Sequence, residues 1–194
     1  MPDDSFRALW RSFYGDCPPV GFLLQETFPE RWFRIHSLPA SKRYAETAVE
    51  LATILSRHNT VATDVLGESA PCVVVTHPHV NPLASRRPRS GRQLDALGLE
   101  PLMTVLEENP RDPDEGWKIP LVAAHIRWHP QALDDVLADV SEDIVGPLLI
   151  VATESGRVYA PYDGGADLFV GSKEERDELR ARYADWLSPH PSGL

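Results

Sequence analysis

Apolar positions recur along this chain with two periods, and the period predicts the element. Phe6, Leu9, Trp10 and Phe13 fall at i, i+3, i+4 and i+7, which predicts a short helix with one apolar face. Cys17-Pro18-Pro19 ends it, because a residue before proline avoids the helical region. Trp32 to Leu38 predicts a strand, with Phe33 and Ile35 on one face and Arg34 and His36 on the other. Pro39 closes that strand. Ser41 is then placed to cap a helix with a core stripe of Tyr44, Ala48, Leu51 and Leu55, continuing through Val65 and Leu66 to Gly67.

The second half reads in the same way. Cys72 to Thr76 is a β-branched run suited to a central strand. Leu102, Met103, Val105 and Leu106 have helical spacing and predict a helix over 101–108. Lys118 to Trp128 predicts a strand with Val122, Ala124, Ile126 and Trp128 on one face and Leu121, Ala123, His125 and Arg127 on the other. Pro130 opens a helix with the stripe Leu133, Val136, Leu137 and Val140. Leu148 to Thr153, Arg157 to Tyr162 and Leu168 to Val170 predict three strands joined by Glu154-Ser155-Gly156 and Asp163-Gly164-Gly165 turns. Ser172 and Glu175 form a capping box for a last helix that buries Leu179, Tyr183, Trp186 and Leu187. This order predicts an α+β fold: a largely antiparallel sheet of about five or six strands with helices packed on it, in a single domain over 1–194.

One stretch, 77–93, has no periodicity. It holds four arginines and three prolines and no acid, which predicts an irregular, exposed basic loop. Elsewhere the balance is acidic, with a formal net charge of -10. That excess argues against broad binding to nucleic acid or an anionic membrane and favours a basic partner. The basic loop could touch RNA, DNA or an acidic partner, or simply be solvated. The two cysteines, Cys17 and Cys72, suit neither a disulfide framework nor a zinc site. The N-terminus lacks the pattern of a signal peptide, and no apolar run approaches the roughly 20 residues that span a bilayer. A cytoplasmic protein without membrane partners is the expectation.

Candidate chemistry gathers between 34 and 44. Arg34 and His36 leave the strand opposite the apolar face, Ser41 begins the expected helix, and Lys42 and Arg43 add positive charge. A helix start with free N–H groups beside cations is suited to phosphate or carboxylate. His125 and Arg127 repeat the Arg/His arrangement and would join this patch if their strand were a neighbour. The alternative is neutralisation by the chain's own acids, Asp163 and Asp167 being nearest to hand. His58 and Asn59 read as hydrogen-bonding groups on the core side of their helix. His77 and His79 stand two apart, but Pro78 separates them and no third metal ligand is evident, so neither metal nor cofactor is expected. No phosphate-binding loop, dinucleotide fingerprint or Gly-x-Ser-x-Gly elbow is present.

Trp32 to Pro39 with Ser41 to Tyr44, and Arg57-His58-Asn59-Thr60-Val61, resemble a group of uncharacterised bacterial proteins. The tail Arg157 to Asp167 is similar to a C-terminal domain of unknown function that carries a Tyr-Asp-Asp-Arg-Gly-Met-Asp motif before its last helix. Gly164 and Gly165 stand here where that motif has Asp-Arg. The resemblance implies a bacterial, cytosolic protein and supplies no activity. Two readings follow. One is a non-enzymatic acidic domain that binds another protein, as an immunity or accessory factor does. The other is a small enzyme or ligand-binding protein whose anion site uses Arg34, His36, Ser41, Lys42, Arg43, His125 and Arg127.

Overall fold

The computed structural model describes residues 2–77, 92–109 and 112–188, so most of the expected basic loop lies outside the described residues. Its strands are β1 (Trp32–His36), β2 (Pro71–Thr76), β3 (Glu100–Asn109), β4 (Asp112–Arg127), β5 (Leu148–Ala152), β6 (Val158–Tyr162) and β7 (Gly165–Phe169). They form one seven-stranded sheet in the order β1-β7-β6-β5-β2-β4-β3. All neighbours are antiparallel. The sheet is thus wider by one or two strands than the sequence predicts.

The extra strand is β3, which replaces the helix expected over 101–108. The register against β4 shifts between Pro101 and Met103. A bulge adds one residue and moves the alternation out of phase. Leu102 and Val105, three apart, are therefore both buried in the same cluster although the backbone is extended. A bulged strand here imitates helical spacing.

Helices cover both faces. On one side α3 (Ala48–Leu66), α5 (Asp134–Ser141), the short α4 (Arg92–Asp95) and α6 (Lys173–Arg182) share a core with Cys72, Val74, Ile150, Tyr159 and Leu168. On the other, α1 (Pro2–Tyr14) and α2 (Gly21–Thr27) pack on Val73, Val75, Leu149, Val151, Val158 and Phe169. α1 buries Phe6, Trp10 and Tyr14, stacks Trp10 on Tyr14 at 4.4 Å between centroids, and donates from the Tyr14 hydroxyl to the Gly156 carbonyl at 2.6 Å. A side chain at Gly156 would run into the Phe13 ring, so the β5–β6 turn must be glycine for α1 to dock.

α3 starts later than expected. Pro39–Ser41 is a single 3-10 turn with Ala40 and Ser41 at positive φ, and Ser41 caps nothing. The cap is Thr47, which accepts from the Glu50 N–H while the Glu50 carboxylate accepts from the Thr47 N–H. Tyr44 consequently lies outside the helix and is exposed, and the buried stripe is Ile54, His58, Val61, Ala62 and Val65. The helix then runs without a break to Gly67. At the other end Leu179 and Tyr183 are buried as expected, whereas Trp186 follows in a 3-10 turn, partly exposed and stacked on Tyr183.

β1 runs close to Gly165 beside the Ile35 carbonyl, where Ile35 pairs with Ala166 and His36 with Gly165. A Cβ at Gly165 would collide with the Ile35 carbonyl oxygen, which is backbone and cannot step aside without unpairing β1. Gly165→Ala should therefore destabilise by about 3 kcal/mol, the upper range of overpacking. Gly146→Ala, where nothing lies within 4 Å of the new methyl, should stay within about 0.5 kcal/mol of the parent. Urea midpoints measure both, and equal midpoints would show that β1 yields freely.

Candidate functional site

Arg34 and Asp167 sit directly opposite each other on β1 and β7, so pleating turns both side chains to the same face. The guanidinium donates from Nε to Asp167 Oδ1 at 2.8 Å and from Nη2 to Oδ2 at 2.9 Å, a bidentate pair. Trp32 Nε1 adds a third donor to Oδ1 at 2.8 Å. The guanidinium carbon lies 5.6 Å from the Trp32 ring centroid and 4.8 Å from that of Tyr162, so two aromatics flank it. Asp167 is 8% exposed. Burial acts to lower the Arg34 pKa, but its bonds and attraction to Asp167 outweigh this and raise it. Burial pushes the Tyr162 hydroxyl up to about 12, so it stays protonated.

The other cations of the junction are also engaged. Lys42 reaches Glu50 at 2.7 Å and Glu46 at 3.1 Å. Arg43 lies 3.3 Å from Asp163, whose carboxylate also accepts from the Tyr44 hydroxyl at 2.8 Å. The chain's own acids, Asp163 and Asp167 among them, neutralise this region. His36 shares the Arg34 face. Burial lowers its pKa first, the Arg34 and Arg57 charges add to that, and the Gly164 carbonyl opposes them. Its Nε2 is buried without a hydrogen-bond partner among the described residues.

His125 and Arg127 do not join the patch. β4 stands five places from β1 in the sheet, roughly 24 Å at a strand spacing of about 4.8 Å. Both side chains are exposed there, and Arg127 donates to the Ser69 carbonyl. Of the residues expected to form one anion site, Arg34, Lys42 and Arg43 are near one another in the chain but each is engaged by a separate carboxylate, and His36 lies on the Arg34 face. Ser41 supplies no helix start.

Sequence reasoning missed a second polar cluster. Ser37 Oγ and His58 Nε2 are 2.9 Å apart, and His58 Nδ1 bonds to the Tyr159 hydroxyl. Ser37 and His58 are each 1% exposed and Tyr159 is 0% exposed. Burial alone depresses His58 to about 4, so the ring is neutral. A serine beside a neutral histidine has the parts of a nucleophile and base, but no substrate atom can reach a group so enclosed. The trio bolts the end of β1 to α3 and β6. The expected core-side role of His58 and Asn59 is what the structure shows: Asn59 Nδ2 donates to Leu55 O and Asp134 Oδ1, and its Oδ1 accepts from the Gln131 N–H.

Between α2 and the Arg34–Asp167 pair lies a hollow against this face of the sheet. It is a trough of about 380 Å³ floored by Val75, Ile119, Leu121, Leu149 and Ala160, with Phe22 and Pro147 on its rim. Arg34, Tyr162 and Asp167 form its polar wall. Asp167 was expected from the sequence only as a neutralising acid, and Trp32 and Tyr162 were not expected at the site; Trp32, two residues before Arg34 on the same strand face, is a signal that could have flagged it. Among the described residues no group of three or more His, Cys, Asp or Glu is arranged to hold a metal ion, and no helix is long and apolar enough to cross a membrane. His79 lies outside the described residues.

Residues 20–191 match a family described as a domain of unknown function, DUF3885. No curated protein matches the chain, and no solved structure does.

The buried histidine makes stability depend on pH. In the unfolded chain His58 takes up a proton near its ordinary 6.5, whereas folded it resists until about 4. Stability is therefore full above pH 6.5 and falls as pH drops toward 4, by about 3 kcal/mol over that window. Urea titrations at pH 7.0, 5.5 and 4.5 should show this slope, and His58→Gln should flatten it. Identical slopes in parent and variant would mean that His58 protonates freely in the fold.

Proposed function

The chain belongs to the DUF3885 family of domains of unknown function, and for this member we propose a non-enzymatic acidic domain that binds another protein through its 43–50 surface. The observation that carries the reading is an apolar pair displayed among acids. Tyr44 is 44% exposed and Val49 is 76% exposed, although both are large hydrophobic residues. Glu46 lies between them in the chain with a side chain 80% exposed. Asp163 receives the Tyr44 hydroxyl, and Asp143 is close enough to raise its pKa further. Exposed aromatic and aliphatic groups beside carboxylates, here also paired with Lys42 and Arg43, suit a basic protein surface carrying an apolar anchor.

The overall charge supports the same partner. At -10 the chain attracts a basic protein over distance, which serves association rate and specificity more than final affinity. Masking a basic effector in a bacterial cytoplasm, as an immunity or accessory protein does, fits this chemistry. A catalytic reading gains little from the geometry: Arg34, Lys42 and Arg43 are tied to carboxylates, and Ser37 and His58 are enclosed.

Photocrosslinking from benzoylphenylalanine at position 44, in the cells that make this protein, identifies the partner. The complex is then rebuilt from the two purified proteins. The expected partner is basic, and Tyr44→Ala combined with Val49→Ser weakens the rebuilt complex at least about tenfold. Raising sodium chloride from 50 to 500 mM should weaken it further. An acidic partner, no reproducible crosslink, or a rebuilt complex indifferent to the double variant would overturn the reading.

A further inference from the structure

We propose that the trough beside Arg34 is a binding site for a small uncharged molecule with an apolar body and a hydrogen-bond acceptor at one end. This site is separate from the 43–50 surface, and its test does not depend on a protein partner.

Size and lining come first. A volume of about 380 Å³ falls in the range of small-molecule sites, roughly 300–1,000 Å³. Its floor crosses the middle of the sheet through Val75, Leu149 and Ala160, members of the apolar cluster on this face. Phe22 on the rim stays 42% exposed, a large apolar group facing solvent at the mouth of an apolar hollow.

The polar wall decides the ligand's charge. Asp167 already receives Trp32 Nε1, Arg34 Nε and Arg34 Nη2, so the pair is internally neutral and its carboxylate is well satisfied. The polar groups of this wall that are left over are donors. Neither Arg34 Nη1 nor the Tyr162 hydroxyl has a hydrogen-bond partner among the described residues. An anion would gain Arg34 but meet Asp167 beside it, and a cation would meet the Arg34 guanidinium. Either would also lose its hydration against an apolar floor, which is costly for an unpaired charge. A carbonyl or amide oxygen takes the two free donors without adding net charge.

Three probes of one shape separate these cases: 2-acetylnaphthalene, 2-naphthoate and 2-naphthylmethylammonium, titrated into the full chain at matched ionic strength. Binding is followed by methyl chemical shifts, with Val75 and Leu149 as reporters. The ketone should bind saturably and at least about tenfold tighter than either ion. Tyr162→Phe removes one donor and keeps the ring against Arg34, so ketone binding should fall about threefold to tenfold. Phe22→Ala, at an exposed position where folding is not at stake, should weaken the ketone as well. Equal binding of all three probes, shifts outside the trough, or a ketone affinity unchanged in Tyr162→Phe would each overturn the proposal.

Discussion

The middle of this sheet cannot face water on either side. β2 from Cys72 to Thr76, all of β5, and β6 from Val158 to Pro161 are buried at every position, so each strand sends apolar side chains to both faces. Two layers of helix are therefore obligatory. α3, α5 and α6 supply one, and their core runs from Phe33 to Tyr183. α1 and α2 supply the other, in a cluster that reaches Phe169, and leave a hollow past Phe22. The Arg34–Asp167 pair borders that hollow.

Magnitude separates the ion pairs of this region. Lys42 with Glu46 and Glu50, and Arg43 with Asp163, sit where solvent screens them, and such pairs add little to stability. Arg34–Asp167 differs. Its side chains are 19% and 11% exposed, its geometry is bidentate, and Trp32 and Tyr162 flank it. Removing one partner would strand a desolvated charge at a cost of about 3–5 kcal/mol. The same arginine that suggests an anion site in the sequence is thus committed to holding edge strand β1 against β7. Its Nη1 takes no part in that pair.

Most strands were legible because their physics is local. The runs Val73-Val74-Val75 and Leu148-Leu149-Ile150-Val151 are too apolar and too short for anything but buried strands. The Asp163-Gly164-Gly165 turn announced itself by composition. β3 was not legible, because its bulge sets Leu102 and Val105 three apart and no alternation survives. The start of α3 was legible in principle: Thr47 and Glu50 have capping-box spacing, but Ser41 offered an earlier cap close behind Pro39. Non-local pairing was the real limit. Asp167 stood out as an acid that could neutralise the patch, but nothing in the sequence fixes its bidentate pairing with Arg34, 133 residues away, or says that four strands separate β1 from β4. The cations of the junction and the acids Asp163 and Asp167 were visible from the sequence, whereas which of them meet across the sheet depends on strand order.

The central claim is that Arg34 is spent on Asp167 and holds the sheet edge together. A double-mutant cycle on stability tests it most directly, with Arg34→Met, Asp167→Asn and the double variant unfolded in urea at pH 7. If the pair is structural, each single change costs about 3–5 kcal/mol, and the double costs well under their sum, because the second change removes a charge that the first left stranded. Costs that simply add, or an Arg34→Met variant as stable as the parent, would contradict the account and leave Arg34 free to serve a ligand instead.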